Sequence, residues 1–588
     1  MPATGSVGTM LVLAAVLLAA LATVVIGTFG VRLARTTSDF LVAARSVGPR
    51  TNAAAISGEY LSAASFLGVA GLIAKHGADA LWYPVGFTAG YLFLLMLVAA
   101  PLRRSGAYTV PDFAEFRLGS ARLRLLAMIL VVLIVGLYMV PQFHGAGLAL
   151  RIMLGVPEWV GVVAVAGIVM ANVIAGGMRS ITFVQAFQYW LKLTAIAIPA
   201  LAIGMHFLAG PQPVGEPMPP RAPTDLTVTI ADGIVVEVDA STVLDLTGQI
   251  DGADIDGRVT FEPGERVLGE GTELRLRAGE AMPTIAGIPR DGDDWLRPGS
   301  GLGATDGQGA GLALYEVYSV ILAIFLGTLG LPHVLVRFYT NRTGSLARWT
   351  SLIVIAMLAV FYLFPVLLGV LSRAYVLQVL LTGATDATVL LLPNAVFDGL
   401  GGQLLAALVA AGAIAAFLST ASGLLVCAAG VISTDVLRGS VRDFRISALA
   451  AGAVVMGLAL AGTRLDISQS VGMVFAVAAS TFAPLLLLGI WWRGLTVAGA
   501  AAGLIAGGTT SLAAVLIVVA RGGAGTGWGA ALLAHPAAWT VPLAFTVMVG
   551  VSLATRASVR DDVAAVLARM HVPERFGMVR DRDAERWG

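Results

Sequence analysis

Three stretches of small and polar residues interrupt otherwise apolar runs, and chemistry in this sequence would have to happen there. The first is Ile56-Ser57-Gly58-Glu59-Tyr60-Leu61-Ser62-Ala63-Ala64-Ser65-Phe66-Leu67-Gly68. This composition weakens a helix. An unwound turn within a membrane frees backbone carbonyls that can hold a cation, and those of Gly58 and Leu61 are the best spaced. Close helix packing through small residues is the other reading. The second stretch is Ala415-Ala416-Phe417-Leu418-Ser419-Thr420-Ala421-Ser422. Positions 416, 419 and 420 share one helix face, so a carbonyl and two hydroxyls point the same way. A hard cation such as Na+ prefers such oxygens, although hydroxyls also bond back to their own helix. The third is Phe325-Leu326-Gly327-Thr328-Leu329-Gly330-Leu331-Pro332-His333, where two glycines and a proline break an apolar run.

Two charges fall inside apolar segments, Glu59 beside the first break and Lys192 further along. A lone charge at mid-bilayer costs at least ~2.5–3.5 kcal/mol, so such residues pair or face a cavity. A structural Glu59–Lys192 pair is the preferred reading. Lys192 as counter-ion to an anionic solute and Glu59 as a proton-coupling carboxylate are the others.

The elements that carry these residues are membrane helices. Of 588 residues, 57% are hydrophobic and only 12% charged, and the mean hydropathy is +0.86. A soluble globule carries about a quarter charged residues. Thirteen spans are expected, near 8–33, 50–74, 80–101, 123–151, 157–176, 182–208, 311–336, 346–372, 400–433, 444–462, 466–491, 495–519 and 537–556. The single Cys427 excludes an intrachain disulfide, and six scattered histidines give no zinc pattern. Only Lys75 and Lys192 are lysines, and neither follows a glycine-rich loop, so no nucleotide-driven pump is expected. No enzymatic cofactor and no nucleic-acid partner is expected.

Arginines mark every second loop. Arg32, Arg35, Arg45 and Arg50 follow the first span; Arg103, Arg104, Arg117, Arg122 and Arg124 the third; Arg337, Arg342 and Arg348 the seventh. Arg179, Arg438, Arg442, Arg445, Arg493, Arg556 and Arg560 continue the alternation. The positive-inside rule then puts the N-terminus outside and the C-terminus in the cytosol. The first span is too long, and carries its charges on the wrong side, for a cleaved signal peptide.

Residues 209–310 depart from this pattern, with 18 acidic and 7 basic side chains. A proline-rich spacer (Pro211 to Pro223) precedes alternating runs such as Leu226-Thr227-Val228-Thr229-Ile230, which predict a small β-rich extracytoplasmic insert. The sequence suggests a tolerated surface insertion or a role in access or partner binding, and names no partner for it. In the tail, Val559, Val563, Leu567 and Met570 suggest one amphipathic helix. The expected organisation is an extra helix and loop over 1–49, a first repeat over 50–208, the insert over 209–310, a second repeat over 311–491, two helices over 492–556 and a cytosolic tail over 557–588. Broken spans at corresponding positions, two and seven, point to a midplane site between repeats.

With these stretches in view, the sequence resembles the sodium:solute symporters, in particular the bacterial acetate (short-chain monocarboxylate) permeases. The resemblance rests on Ser62-Ala63-Ala64-Ser65-Phe66-Leu67-Gly68, Tyr108-Thr109-Val110-Pro111-Asp112-Phe113, Gly176-Gly177-Met178-Arg179, Gly330-Leu331-Pro332-His333-Val334-Leu335-Val336-Arg337-Phe338 and Ser419-Thr420. It implies an all-α polytopic membrane protein with a LeuT-type five-plus-five inverted repeat, one helix before it and two after. It implies a sodium site at the carbonyls of Gly58, Leu61 and Ala416 and the hydroxyls of Ser419 and Thr420. Positions that touch sugar in sugar-carrying relatives correspond to Ser65, the neighbourhood of Tyr83, Phe325, Thr328 and Leu329. The two small hydroxyls among them and apolar walls suit a small acid better than a polyol; Ser62 is expected to join the lining, and Gln142 could add an amide donor. Where sugar carriers place an aspartate, this chain has Gln185, which weakens the case for a second sodium.

The expected function is uptake of acetate-like monocarboxylates coupled to Na+ across the bacterial plasma membrane. A proline or other small-solute symporter of the same family, or H+ coupling, is the alternative. A membrane sensor would need an output domain that the roughly thirty residues after the last span are too few to supply, and a channel would conduct without saturating.

Overall fold

The computed structural model describes residues 6–31, 43, 47–210, 222, 225–230, 234–238, 241–269, 271–280, 282–285, 295, 307–376, 378–382, 385–437, 439–461, 467–521 and 527–576. The prolines of the spacer, Arg32, Arg35, Arg45 and Arg438 lie outside the described residues, as do residues 577–588 of the tail.

Helix α1 (Ser6–Val31) precedes a discontinuous helix made of α2 (Pro49–Tyr60) and α3 (Val69–His76). Then follow α4 (Trp82–Phe93), α5 (Ala99–Arg104), α6 (Val110–Leu118), α7 (Ala121–Leu154) and α8 (Glu158–Ala209). After the sheet come a second discontinuous helix, α9 (Gly307–Gly330) with α10 (Pro332–Tyr339), then α11 (Gly344–Tyr375), α12 (Gln378–Thr382) and α13 (Thr388–Val396). The remainder is α14 (Gly399–Asp435), α15 (Val441–Leu460), α16 (Ile467–Trp491), α17 (Val497–Arg521), α18 (Trp528–Ala534), α19 (Ala537–Ala554) and α20 (Val563–His571).

Eleven segments among the described residues are long and apolar enough to cross a membrane, against the thirteen expected. The difference lies in two continuous segments. Residues 64–104 run through the second and third expected spans, and α8, at 52 residues, runs through the fifth and sixth. Gly177 turns the chain inside α8 with φ 55°, a left-handed conformation that glycine adopts without a Cβ penalty. The Thr109-Val110-Pro111-Asp112 motif is a helix start: Thr109 accepts from the Asp112 N–H at 3.2 Å, and Asp112 accepts from the Tyr108 N–H at 3.0 Å.

Residues 226–285 form a seven-stranded antiparallel sheet: β1 (Leu226–Thr229), β2 (Ile234–Val238), β3 (Thr242–Ile250), β4 (Ala253–Phe261), β5 (Gly264–Leu268), β6 (Glu273–Leu276) and β7 (Thr284–Ile285). The strand order is β1-β6-β3-β5-β2-β7, with β4 on β3. Alternation along each strand buries Val228, Val236, Leu244, Leu246 and Leu274 in a core of its own, which Leu381 of α12 joins. The tail helix is shorter than the apolar pattern suggested. It starts at Val563 and buries Val566, Leu567 and Met570, leaving Val559 outside it.

The arginine count needs correction. Arg103, Arg104, Arg117 and Arg337 are not free loop charges but are 5%, 7%, 1% and 0% exposed. Arg117 donates to the carbonyls of Gly489 (2.7 Å) and Trp492 (2.9 Å), and Arg124 bridges Glu115 and Asp435. Carbonyls at helix ends need donors, so several of these arginines are tied to the protein's own backbone.

Candidate functional site

Both broken helices open in the protein interior. Helix α2 ends at Tyr60; Leu61 has ψ 80°, and the chain re-enters helix through a wide turn at Ala64–Gly68. The second helix breaks at Leu331 (ψ 114°), between Gly330 and Pro332, whose missing N–H is tolerated at a helix start. Gly58 permits the first break to lie close against α8, because a Cβ there would meet the Gln185 carbonyl.

The structure brings Gly58, Leu61, Ser419 and Thr420 together, with Lys192 among them. The Ser419 hydroxyl donates to the Gly58 carbonyl, and that of Thr420 donates to the Glu59 carbonyl at 2.6 Å. The Lys192 ammonium donates to the Gly58 carbonyl and to the Leu61 carbonyl, the latter at 2.7 Å. Lys192 therefore sits on the two carbonyls assigned to sodium. Ala416 is fully buried one turn before Thr420 on α14.

The expected Glu59–Lys192 ion pair is replaced by another. Glu59 Oε2 pairs with Arg337 Nε at 2.5 Å, both side chains being essentially unexposed. Arg337 also donates to the Thr182 hydroxyl at 2.9 Å and to the Gln185 side-chain carbonyl, while the Gln185 amide donates to the Ser419 carbonyl at 2.8 Å. A guanidinium offers five donors in a planar fork and satisfies three acceptors at once, which an ammonium at the position of Lys192 does not reach. Gln185 thus works as a neutral bridge between Arg337 and α14. An aspartate there would place a second carboxylate beside Glu59.

The expected solute residues divide. Ser65 bonds the Tyr362 hydroxyl at 2.8 Å, Thr328 bonds the Tyr60 hydroxyl at 2.7 Å, and Ser62 accepts from Tyr138 at 3.5 Å. Gln142 Oε1 accepts from the Ala63 N–H at 3.4 Å, at the first break. Around them Tyr60, Phe87, Tyr91, Tyr138, Tyr362 and Phe475 form a box of mutually packed rings. Tyr83 lies at its edge, 6.3 Å from Phe87. Phe325 is not part of it: its ring packs on Phe93, itself 38% exposed, at 4.3 Å. Leu329 is fully buried and offers no polar atom.

His333 was quoted only as part of the second break, yet its ring lies 5.3 Å from that of Tyr138. It is 1% exposed and neither ring nitrogen has a hydrogen-bond partner among the described residues; the Gln142 amide nitrogen is in the same position. Tyr138 and Gln142 are four apart on α7 and share a face. Buried polar groups without partners are rare and need an explanation.

Two broken helices meeting at buried polar groups, among eleven long apolar segments of the described residues, fit a membrane transporter. The profile of the sodium:solute symporter family matches residues 40–229 and 299–507, more than half of the chain, and the protein belongs to that family. The gap between the matched stretches contains β2 to β7. The chain is 29% identical over 558 residues to a monocarboxylic acid transporter of Corynebacterium glutamicum, covering 91% of this chain and 90% of that one. It is 28% identical over 544 residues to the uncharacterized symporter YwcA of Bacillus subtilis, covering 89% and 90%. In fold it is similar to a Na+-coupled sialic acid symporter in a substrate-bound outward-open state, with TM-score 0.59 at 14% identity, covering 92% of this chain and 98% of the other.

Proposed function

We propose that the protein imports small monocarboxylate anions of the acetate type by alternating access, as a multi-pass protein of the bacterial plasma membrane. One observation carries this reading. The Gln142 amide nitrogen, by the first break, and the His333 ring, just after the second, are buried without a partner among the described residues, and both lie beside Tyr138 of the aromatic box. A carboxylate accepts from such donors, and ring faces suit a short apolar tail better than a row of hydroxyls. The name of the Corynebacterium relative agrees with it. In this reading residues 50–208 and 311–491 are the two inverted repeats. The sheet between them lies outside the cell, with the N-terminus outside and the C-terminus inside.

Family membership supports Na+ as the co-transported ion. The Gly58 and Leu61 carbonyls, however, already face an ammonium. The coupling ion is therefore decided at that position.

The test is uptake of labelled acetate into proteoliposomes holding the purified chain. Saturable uptake, competed by propionate and pyruvate but not by proline, is the expected result. Competition by proline with none by propionate would replace the reading with a different solute of the same family.

A further inference from the structure

We propose that the Lys192 ammonium is the resident cation of the position formed by the first helix break, and that this chain transports its solute without Na+ there. The acceptors carry the argument. Leu61 lies outside helical geometry, so its carbonyl projects free of the helix, and Lys192 Nζ donates to it at 2.7 Å. The Gly58 carbonyl accepts from both Lys192 Nζ and Ser419 Oγ. A carbonyl oxygen has two lone pairs, so Gly58 has none left for a metal ion unless one donor leaves. The Thr420 hydroxyl is turned to the Glu59 carbonyl. Both carbonyls at the break are thus engaged within the protein, that of Gly58 on both lone pairs.

Charge supports the same conclusion. Glu59, Arg337 and Lys192 are all buried, and the carboxylate is paired with Arg337 at 2.5 Å. A protonated Lys192, held by neutral carbonyl dipoles, gives the cluster one excess positive charge. A sodium ion on the same carbonyls would add a second positive charge beside it, in an interior where like charges are screened little. An anion in the aromatic box would instead offset the existing charge. Lys192 thus supplies from the chain what Na+ supplies in a carrier with these carbonyls free.

The inference concerns the cation alone and is tested without any solute. Binding of 22Na+ to the purified protein is measured by scintillation proximity for wild type, Lys192→Ala, Lys192→Met, Ser419→Ala and the double variant Lys192→Ala with Ser419→Ala. The expected result is no Ser419-sensitive binding in wild type. Lys192→Ala, with the charge removed and the space opened, gains saturable binding at least tenfold above wild type. The gain is lost in the double variant, and Lys192→Met, which fills the space without charge, gains none. Saturable wild-type binding that Ser419→Ala lowers would overturn the proposal, as would Lys192→Ala binding no more than wild type. Acetate uptake in choline medium separates this from the solute reading. Uptake strictly dependent on Na+ sinks the resident cation and leaves acetate standing. Absent acetate uptake together with absent 22Na+ binding does the reverse.

Discussion

The two helix breaks are built alike and finished differently. At the first, the carbonyls of Gly58, Glu59 and Leu61 all receive donors from Ser419, Thr420 and Lys192. At the second, the Leu331 carbonyl is taken up by the Leu335 N–H at 3.2 Å, but His333, two residues on, has no partner on either ring nitrogen among the described residues. A satisfied polar network fixes a structure, whereas an unsatisfied group costs free energy until something binds it. The carbonyls of the first break are therefore furnished by the protein itself, and the His333 ring after the second is left for a ligand. Their far ends differ too. Helix α3 is held by Trp295, whose indole donates to the Ile73 carbonyl at 3.1 Å under the Arg373 guanidinium. The chain after α10 is held by Arg103, which donates to the carbonyls of Asn341 and Arg342.

The largest expected effect tests whether charge fixes the first break. Arg337→Ala leaves the Glu59 carboxylate buried without its partner, and breaking such a pair costs about 3–5 kcal/mol. Thermal unfolding in detergent should show a large fall in melting temperature. Replacing both charges, Glu59→Gln with Arg337→Met, removes the stranded carboxylate and should recover most of the loss. A single variant as stable as wild type would mean that the pair does not set the geometry at Gly58 and Leu61, and the contrast between the breaks would collapse.

A smaller and opposite effect is expected at the second break. His333→Ala removes a buried ring with no hydrogen bond to the described residues, so stability should change little beyond the cavity term. If His333 meets the solute carboxylate, the acetate concentration for half-maximal uptake should rise about tenfold, the equivalent of roughly 1.4 kcal/mol. Gln142→Leu should act in the same direction. Lost stability with unchanged acetate dependence would make His333 a packing residue, and the second break no more open to ligand than the first.

Sequence reading reached the two breaks and the meeting of Gly58, Leu61, Ser419 and Thr420, because glycine and hydroxyl spacing inside apolar runs is a local signal. It missed the partner of Glu59. Arg337 was counted as a loop charge because it follows a long apolar run, and nothing local shows that α10 carries it inward. It misread Lys192 because pairing rules seek an opposite charge, while unwound carbonyls supply a neutral acceptor of comparable use. Phe325 and Leu329 came from family correspondence; the Phe325 ring packs on Phe93 and Leu329 is an apolar buried side chain. The box itself was not legible, since Tyr60, Phe87, Tyr138, Tyr362 and Phe475 are scattered along more than four hundred residues. His333 had one usable signal: a titratable side chain at the first turn after a Gly-Leu-Pro break.

The smallest expected effect concerns the clamp beyond the second break, where pH sharpens the contrast with the uncharged Trp295 contact. Glu574, just after α20, accepts from the Gly344 N–H at the start of α11 and pairs with Arg104 at 3.2 Å. Partial burial works to raise its pKa, but the Gly344 N–H and Arg104 outweigh it and hold the carboxyl below its ordinary value of 4.5. A depressed carboxyl contributes stability that is fully present above that ordinary value. The contribution is lost as the pH falls through the lower folded value. The pair ties only the segment after α20 to the start of α11, so the effect should be local rather than global. Hydrogen exchange of α20 amides should quicken on acidification below pH 4.5, after correction for intrinsic rates, while α3 beside Trp295 stays unchanged. Glu574→Gln should exchange faster at neutral pH and lose the acid dependence. Equal responses in α3 and α20 would mean that acid loosens the whole fold and that the two clamps do not differ in kind.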